Sequence, residues 1–205
     1  MSLSASRRDV LRLAAVAAGA SILPLSVAAQ AADGPAAALI QNVASKVIEL
    51  IKTTKPGAAR EAAFKTVLET DFDLAFMGRS ALGTHWRQAT PDEQQRFLRA
   101  AAGAEAHAYS ERFGQYLGQT LNVGRVSPRP NGVSIVDSKL NQSNGQPIAI
   151  QWEVRDEGGR LRITDVKVEG VSMVMTRRSD FNSYIQNHGG KVEPLIAELE
   201  SRAKQ

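Results

Sequence analysis

The feature that most limits the folds open to this chain is a change of hydrophobic period near Thr120. Before it, apolar side chains recur every three or four residues, as on one face of a helix. From Thr120 to about residue 170 they alternate, as in strands, and afterwards the longer period returns. Helices and strands gathered in blocks, rather than interleaved, pack as helices against an antiparallel sheet. The order helices, sheet, helices predicts an α+β domain, a curved four-stranded antiparallel sheet wrapped by about six helices.

The first helix is expected over 36–53, where Ile40, Val43, Val47 and Ile51 share a face and Lys55-Pro56-Gly57 ends the run. A second follows over 58–70 with Ala62, Val67 and Leu68, and a short third from Phe72 to near Gly83. Thr90-Pro91-Asp92-Glu93 reads as a capping box with proline in the first turn. The helix it opens runs to about Leu117 by its periodicity, and its middle, AAAGAEAHA, is small-sided. Such a stretch either admits a neighbouring helix closely or leaves volume for a guest. Strands are expected near 120–127, 132–140, 147–155 and 160–170, separated by the turn pairs Asn131-Gly132, Asn144-Gly145 and Gly158-Gly159. The last strand changes phase, since Leu161 and Ile163 fall on one face and Val166 and Val168 on the other. That predicts a bulge near Thr164-Asp165 or a strand covered on both sides. Beyond Gly170 the run Val171, Met173, Val174, Met175 is apolar on both faces and is expected as the strand end. Helices over 178–187 and 191–203, divided by Gly189-Gly190, close the chain.

Residues 1–31 carry a different signal. Ser6-Arg7-Arg8-Asp9-Val10-Leu11-Arg12 precedes an apolar run from Leu13 to Val27, too short to span a bilayer, and then Ala29-Gln30-Ala31. This is the pattern of a cleaved secretory signal peptide, and the paired arginines match the twin-arginine type, with an ordinary signal as the alternative. Cleavage after Ala31, or after Ala29, leaves one domain, 32–205, destined for the periplasm. Without Arg7, Arg8, Asp9 and Arg12 the balance is 22 basic to 20 acidic residues, close to neutral. The basic residues are scattered and no nucleic-acid-binding signature is present, so no nucleic-acid partner is expected.

Catalytic signatures are missing. There is no cysteine, which removes disulfides, thiol nucleophiles and thiolate metal sites. His85, His107 and His188 lie in separate segments without the i, i+4 pairing of a helical metal site. Asp71 and Asp73 serve a helix start more readily than a carboxylate dyad. Trp86 and Trp152 read as core, or as lining of a cavity mouth; Met173 and Met175 suit adaptable packing around a flexible guest. No cofactor and no metal are expected.

Two blocks carry a resemblance. FDLAFMGRSALGTHWRQATPDEQQRF, residues 72–97, is similar to the signature of the MlaC (toluene-tolerance) family of periplasmic phospholipid-binding proteins. The matching positions are Phe72, Asp73, Met77, Arg79, Leu82, Gly83, Trp86, Arg87, Ala89, Thr90, Pro91 and Phe97. The second block, from Ile163 to Ile196, resembles the family's strand and following helix at Asp165, Val166, Val168, Glu169, Gly170, Val171, Ser172, Arg178, Ser179 and Phe181. The chain departs from the pattern at Ile150-Gln151-Trp152-Glu153-Val154, at Leu161 and at Arg177, changes that bear on ligand identity more than on fold. A hopanoid-associated branch of the family is the alternative.

The resemblance implies a monomeric, non-enzymatic carrier of phospholipid. It would exchange lipid with an inner-membrane ABC transporter that includes a lipid-binding ring and with an outer-membrane lipoprotein–porin complex, maintaining outer-membrane lipid asymmetry. The physics of such a task is simple. Each acyl CH₂ in water costs about 0.8 kcal/mol, so a two-chain lipid with roughly thirty of them faces on the order of 24 kcal/mol as a free monomer. A carrier must supply a dry cavity and needs no catalyst. The expected walls are Val47, Ile51, Phe76, Met77, Phe113, Ile150, Trp152, Val166, Val168, Val171 and Met173. Two other classes compete on fold alone: a cone-shaped enzyme using Asp137 and Tyr109, and an adaptor of an envelope complex.

Overall fold

A computed structural model of the chain describes residues 34–113, 118–142 and 145–204. The expected leader over 1–31 lies outside them, as do the end of the long helix near Leu117 and part of the Asn144-Gly145 turn.

Among the described residues four helices come first. Helix α1, Pro35–Thr53, starts on its proline and buries Ala36, Ala37, Ile40 and Val43. Helix α2, Ala58–Asp71, lies beside it, fastened where Lys46 Nζ reaches both carboxylate oxygens of Asp71 at 2.9 and 2.8 Å. Asp73 caps α3, Leu74–Leu82, by accepting from the Phe76 amide at 2.8 Å. A 3-10 turn, Gly83–Arg87, leads to α4, Pro91–Arg112. The capping box forms as its sequence predicts: the Glu93 amide donates to Thr90 Oγ1 at 3.2 Å, and the Thr90 amide donates to Glu93 Oε2 at 2.7 Å. The small residues of α4 serve close approach in part. A Cβ on Gly103 would sit 3.0 Å from Ala203, and one on Gly78 of α3 would sit 2.3 Å from Leu98.

One buried cation ties the ends of this layer together. Arg60 is 2% exposed and donates to three backbone carbonyls: Thr54 at 2.7 Å, Ile51 at 2.9 Å and Phe113 at 3.3 Å. These carbonyls belong to the C-terminal ends of α1 and α4, where helix dipoles favour positive charge. A buried arginine is tolerable here because the groups it meets need donors.

The strands β1 (Thr120–Arg129), β2 (Val133–Asn141), β3 (Ile148–Glu157) and β4 (Arg160–Val168) form an antiparallel meander in sequence order. Gly158 and Gly159 turn β3 into β4 at φ 65° and 89°, the left-handed pair a two-residue hairpin needs. Val126, Val136, Trp152 and Val166 stand in one row across all four strands on the helix-facing side. Register slips once in β1, between Val123 and Val126, and once in β4. In β4, Ile163 pairs with Val154 and Asp165 with Glu153, so Thr164 is the extra residue. The bulge decides between the two readings of the phase change. It puts Ile163 and Val166 on the same face, and it bends the sheet.

Two expectations are corrected at the end of the sheet. There are five strands among the described residues, because Val171–Ser172 adds a short β5 beside β4. The apolar run after it is not strand: α5 spans Met173–Asn187 and starts five residues before the expected 178. The reason is local. Glu169 and Gly170 reverse the chain at φ 50° and 80°. Ser172 Oγ then accepts from the Met175 amide at 3.1 Å and Asp165 Oδ1 from the Val174 amide at 3.2 Å, satisfying a helix start. Helix α6, Glu193–Arg202, completes the fold.

The apolar interior divides in two. A helix-side cluster joins α3, α4, α5 and α6 around Leu82, Phe97, Phe181, Ile185 and Ile196, with Phe97 and Phe181 edge to face at 5.6 Å. A sheet-side cluster joins α1, α2 and the inner face of the sheet around Ile40, Phe64, Val136, Val154 and Ile163.

Candidate functional site

The two clusters are closed to different degrees. Among the described residues the helix-side cluster has thirteen buried members and five partly buried ones packed on it. The sheet-side cluster has ten buried and fourteen partly buried, including Leu121, Val123, Val126, Trp152 and Val166 of the sheet and Val47, Leu50 and Ile51 of α1. A sheet that simply formed half of a core would bury its inner face. Here the helices cover it loosely, and apolar surface that folding alone would hide stays within reach of a guest.

A cavity of about 250 Å³ lies at the seam of the two clusters. Its walls come from four helices: Leu68 of α2; Leu74, Met77, Gly78 and Ala81 of α3; Phe97, Leu98, Ala101, Ala102, Glu105, Tyr109 and Arg112 of α4; and Met173, Val174, Thr176, Arg177 and Phe181 of α5. Leu68, Leu74, Met77 and Tyr109 belong also to the sheet-side cluster, while Ala81, Phe97, Val174 and Phe181 belong to the helix-side one. Met77 touches both. The cavity runs from a closed apolar end, where Phe97, Ala81 and Phe181 are buried, to an open polar one, where Arg112 and Thr176 are exposed. From Phe97 to Arg112 the wall of α4 is about 22 Å long at 1.5 Å per residue. A single leaflet of hydrocarbon is about 15 Å deep. The length suits one acyl chain. The volume falls just under the 300–1,000 Å³ typical of ligand pockets, so two chains require the walls to part.

Charge gathers at the mouth. Arg177 of α5 donates through Nε to Glu105 of α4 at 2.5 Å, and its Nη1 lies 3.7 Å from Asp180. Burial alone would push the Arg177 pKa down, but the Glu105 hydrogen bond and charge outweigh it and the net shift is upward. Burial, followed by the Glu105 charge, raises the Tyr109 phenol, so its hydroxyl stays protonated and able to donate. The Glu105–Arg177 pair is about one-third exposed on each side, where such a pair contributes on the order of 1 kcal/mol or less. It bridges α4 and α5 and costs little to open.

The expected wall residues fall into three groups. Met77 and Met173 line the cavity. Val47, Ile51, Trp152 and Val166 join the loosely covered sheet-side cluster, and Trp152 donates through Nε1 to Ser138 Oγ at 2.9 Å. The remaining five lie outside the cavity lining. Ile150 and Val168 pair with each other on the helix-facing side of the sheet, two residues along from Trp152 and Val166. Phe76 lies under the Arg155 guanidinium at 4.4 Å, and Phe113 is 38% exposed, stacked on Phe64 and Tyr109. Val171 is 56% exposed and outside the cavity. Of the residues lining the cavity the sequence singles out only Met77 and Met173 as walls; Leu68, Leu74, Leu98, Ala101, Ala102, Val174 and Thr176 are among those it does not. For Ala101 and Ala102 the signal was present, in the small-sided middle of α4.

The residues named for other chemistry do not converge. Asp137 accepts from Gln151 at 2.8 Å and pairs with Arg125 at 3.4 Å on the outer face of the sheet, opposite Val136 and Ser138. Tyr109 packs in the sheet-side cluster, against the other face of the sheet, so the two do not converge on one substrate. His107 meets Glu61 at 3.2 Å, His85 meets Gln88 and Asn182, and His188 stacks on Tyr184. Among the described residues no group of His, Cys, Asp and Glu could hold a metal ion, and no helix is long and apolar enough to cross a membrane.

Comparison with known proteins gives three findings. The family described as MlaC protein matches residues 41–201. The toluene tolerance protein ttg2D of Pseudomonas putida is 24% identical over 110 residues, 54% of this chain and 51% of that protein, so the match spans about half the length of this curated relative. The phospholipid-binding protein of Ralstonia solanacearum, solved in complex with a phospholipid, superposes with a TM-score of 0.69 at 22% identity, covering 82% of this chain and 96% of that one. At that identity the superposition establishes the fold.

Proposed function

Since the chain belongs to the MlaC family, we propose that it is a periplasmic phospholipid carrier whose acyl chains enter the seam between its two apolar clusters. The observation that carries this reading is the cavity at that seam, apolar at its closed end and charged at its mouth. The incomplete cover of the sheet supports it, because the sheet-side walls have apolar area still to bury. So does the phospholipid held by the Ralstonia protein of the same fold.

In this reading α3 and α5 move away from the sheet-side cluster to widen the seam. Met77, touching both clusters, repacks as the chains enter; an unbranched thioether side chain adapts to such a change. The lipid leaves one apolar medium for another, so transfer is nearly level in free energy and needs no catalyst. The carrier exchanges lipid with an inner-membrane ABC transporter and an outer-membrane lipoprotein–porin complex, and so maintains outer-membrane asymmetry.

Lipid extraction and mass spectrometry of the purified exported protein test this directly. About one phospholipid per chain is expected. Stripping it should lower the melting temperature, since a ligand held only by the folded state stabilises by mass action, about 2.7 kcal/mol at a hundredfold excess over Kd. Protein that carries no lipid, and melts unchanged when lipid is supplied, would refute the reading.

A further inference from the structure

The seam cavity has an unbalanced mouth. Among the described residues three charged ones line it: Glu105, Arg112 and Arg177. The one carboxylate is already engaged by Arg177 Nε, and Asp180, which also faces Arg177, stands outside the lining. Arg112 is exposed and makes no hydrogen bond or ion pair with any described residue. Tyr109, between Glu105 and Arg112 on the same helix, keeps a hydroxyl that can donate to an anion. The Thr176 hydroxyl is occupied, donating to the Ser172 carbonyl at 2.9 Å.

We propose that Arg112 and Arg177 clamp the anionic group of an amphiphile whose chain lies in the cavity, so that this protein selects a negatively charged lipid over an uncharged one. The inference rests on the carrier reading and deepens it. Glu105 holds Arg177 by Nε, and Asp180 faces Nη1 from 3.7 Å, beyond hydrogen-bond distance, which leaves the outer nitrogens able to donate to an anion. Arg112 reaches in from the last turn of α4. Two guanidinium groups above an apolar shaft match a head with negative oxygens and a hydrocarbon tail, the shared chemistry of a phosphodiester and a carboxylate. An uncharged polycyclic lipid would leave Arg112 without a partner.

The test uses purified exported protein stripped of lipid and a fluorescent acyl probe displaced by three competitors: 1-palmitoyl-lysophosphatidylglycerol, palmitate and hexadecanol. At least one of the two anions should bind roughly tenfold or more tighter than the alcohol, the worth of one charge-assisted hydrogen bond. The preference should shrink with added salt. A preference for both assigns any anion; a preference for one assigns the phosphodiester or the carboxylate. Arg112→Gln, at an exposed position without partners, should cut the ratio of anion to alcohol affinity several-fold, and Arg112→Gln with Arg177→Gln should bring it close to one. Equal binding of all three by the unmodified protein, or a preference that survives the double substitution, overturns the clamp and leaves the carrier reading standing. Failure of all three to displace a bound probe, or of the probe to bind, removes the carrier reading itself.

Discussion

Ala101 offers the most direct way to tell a lipid cavity from imperfect packing. It lines the seam cavity and packs only partly buried on the helix-side cluster. Ala101→Leu adds three carbons there. If they enter empty apolar space they contribute about 0.8 kcal/mol each, roughly 2.4 kcal/mol in all. Ordering the new side chain takes back about 0.5–1 kcal/mol, and the change in helix propensity is small. The lipid-free protein should therefore gain about 1–2 kcal/mol, a rise of roughly 2–4 °C in Tm per kcal/mol for a chain of this size. The same three carbons occupy room needed by an acyl chain, so bound lipid should fall. Thermal unfolding of the lipid-free variant, followed by circular dichroism, and lipid stoichiometry by mass spectrometry read the two effects separately. In a filled core the substitution would overpack and cost about 1–3 kcal/mol. A lower Tm with undiminished lipid would show that the space is neither empty nor used. Val171→Trp serves as the control: Val171 is 56% exposed, so the change should move stability by about 0.5 kcal/mol at most and leave lipid unaffected.

Two further outcomes are expected. Arg60→Met should destabilise the fold by about 3–5 kcal/mol in urea titration, because three helix-end carbonyls lose a buried charged donor; a cost under 1 kcal/mol would mean water replaces it freely. The Thr90 backbone amide, then its side chain, hold the Glu93 carboxyl below its ordinary pKa, so its contribution is present above the unfolded value of about 4.5 and is lost as pH falls through the lower folded value. Glu93→Gln should then trail the unmodified protein at neutral pH and converge with it in acid, and parallel stability curves would exclude the linkage.

The local order of this fold was written in the residues. The switch of period at Thr120 separates helices from strands. Thr90 and Glu93 place the start of α4, and the phase change at Thr164 marks a bulge, each because backbone hydrogen bonding and side-chain direction are settled within a few residues. The family signature over residues 72–97 belongs to this class too, since its glycines, cap and apolar spacing are local. Where apolarity was uniform the period failed: from Val171 to Met175 a strand and a helix read alike, and only the reversal at Glu169 and Gly170 with the acceptors of Ser172 and Asp165 chose the helix. The site was less legible. An apolar side chain looks the same in sequence whether it faces a neighbour or a void, so Met77 and Met173 were placed at the cavity while Val171 stands on the surface. Whether Arg177 meets an acid, a solvent shell or a ligand depends on α5 lying against α4, which brings it 2.5 Å from Glu105 across 72 residues of chain. A void belongs to the fit between elements, and no single element contains it.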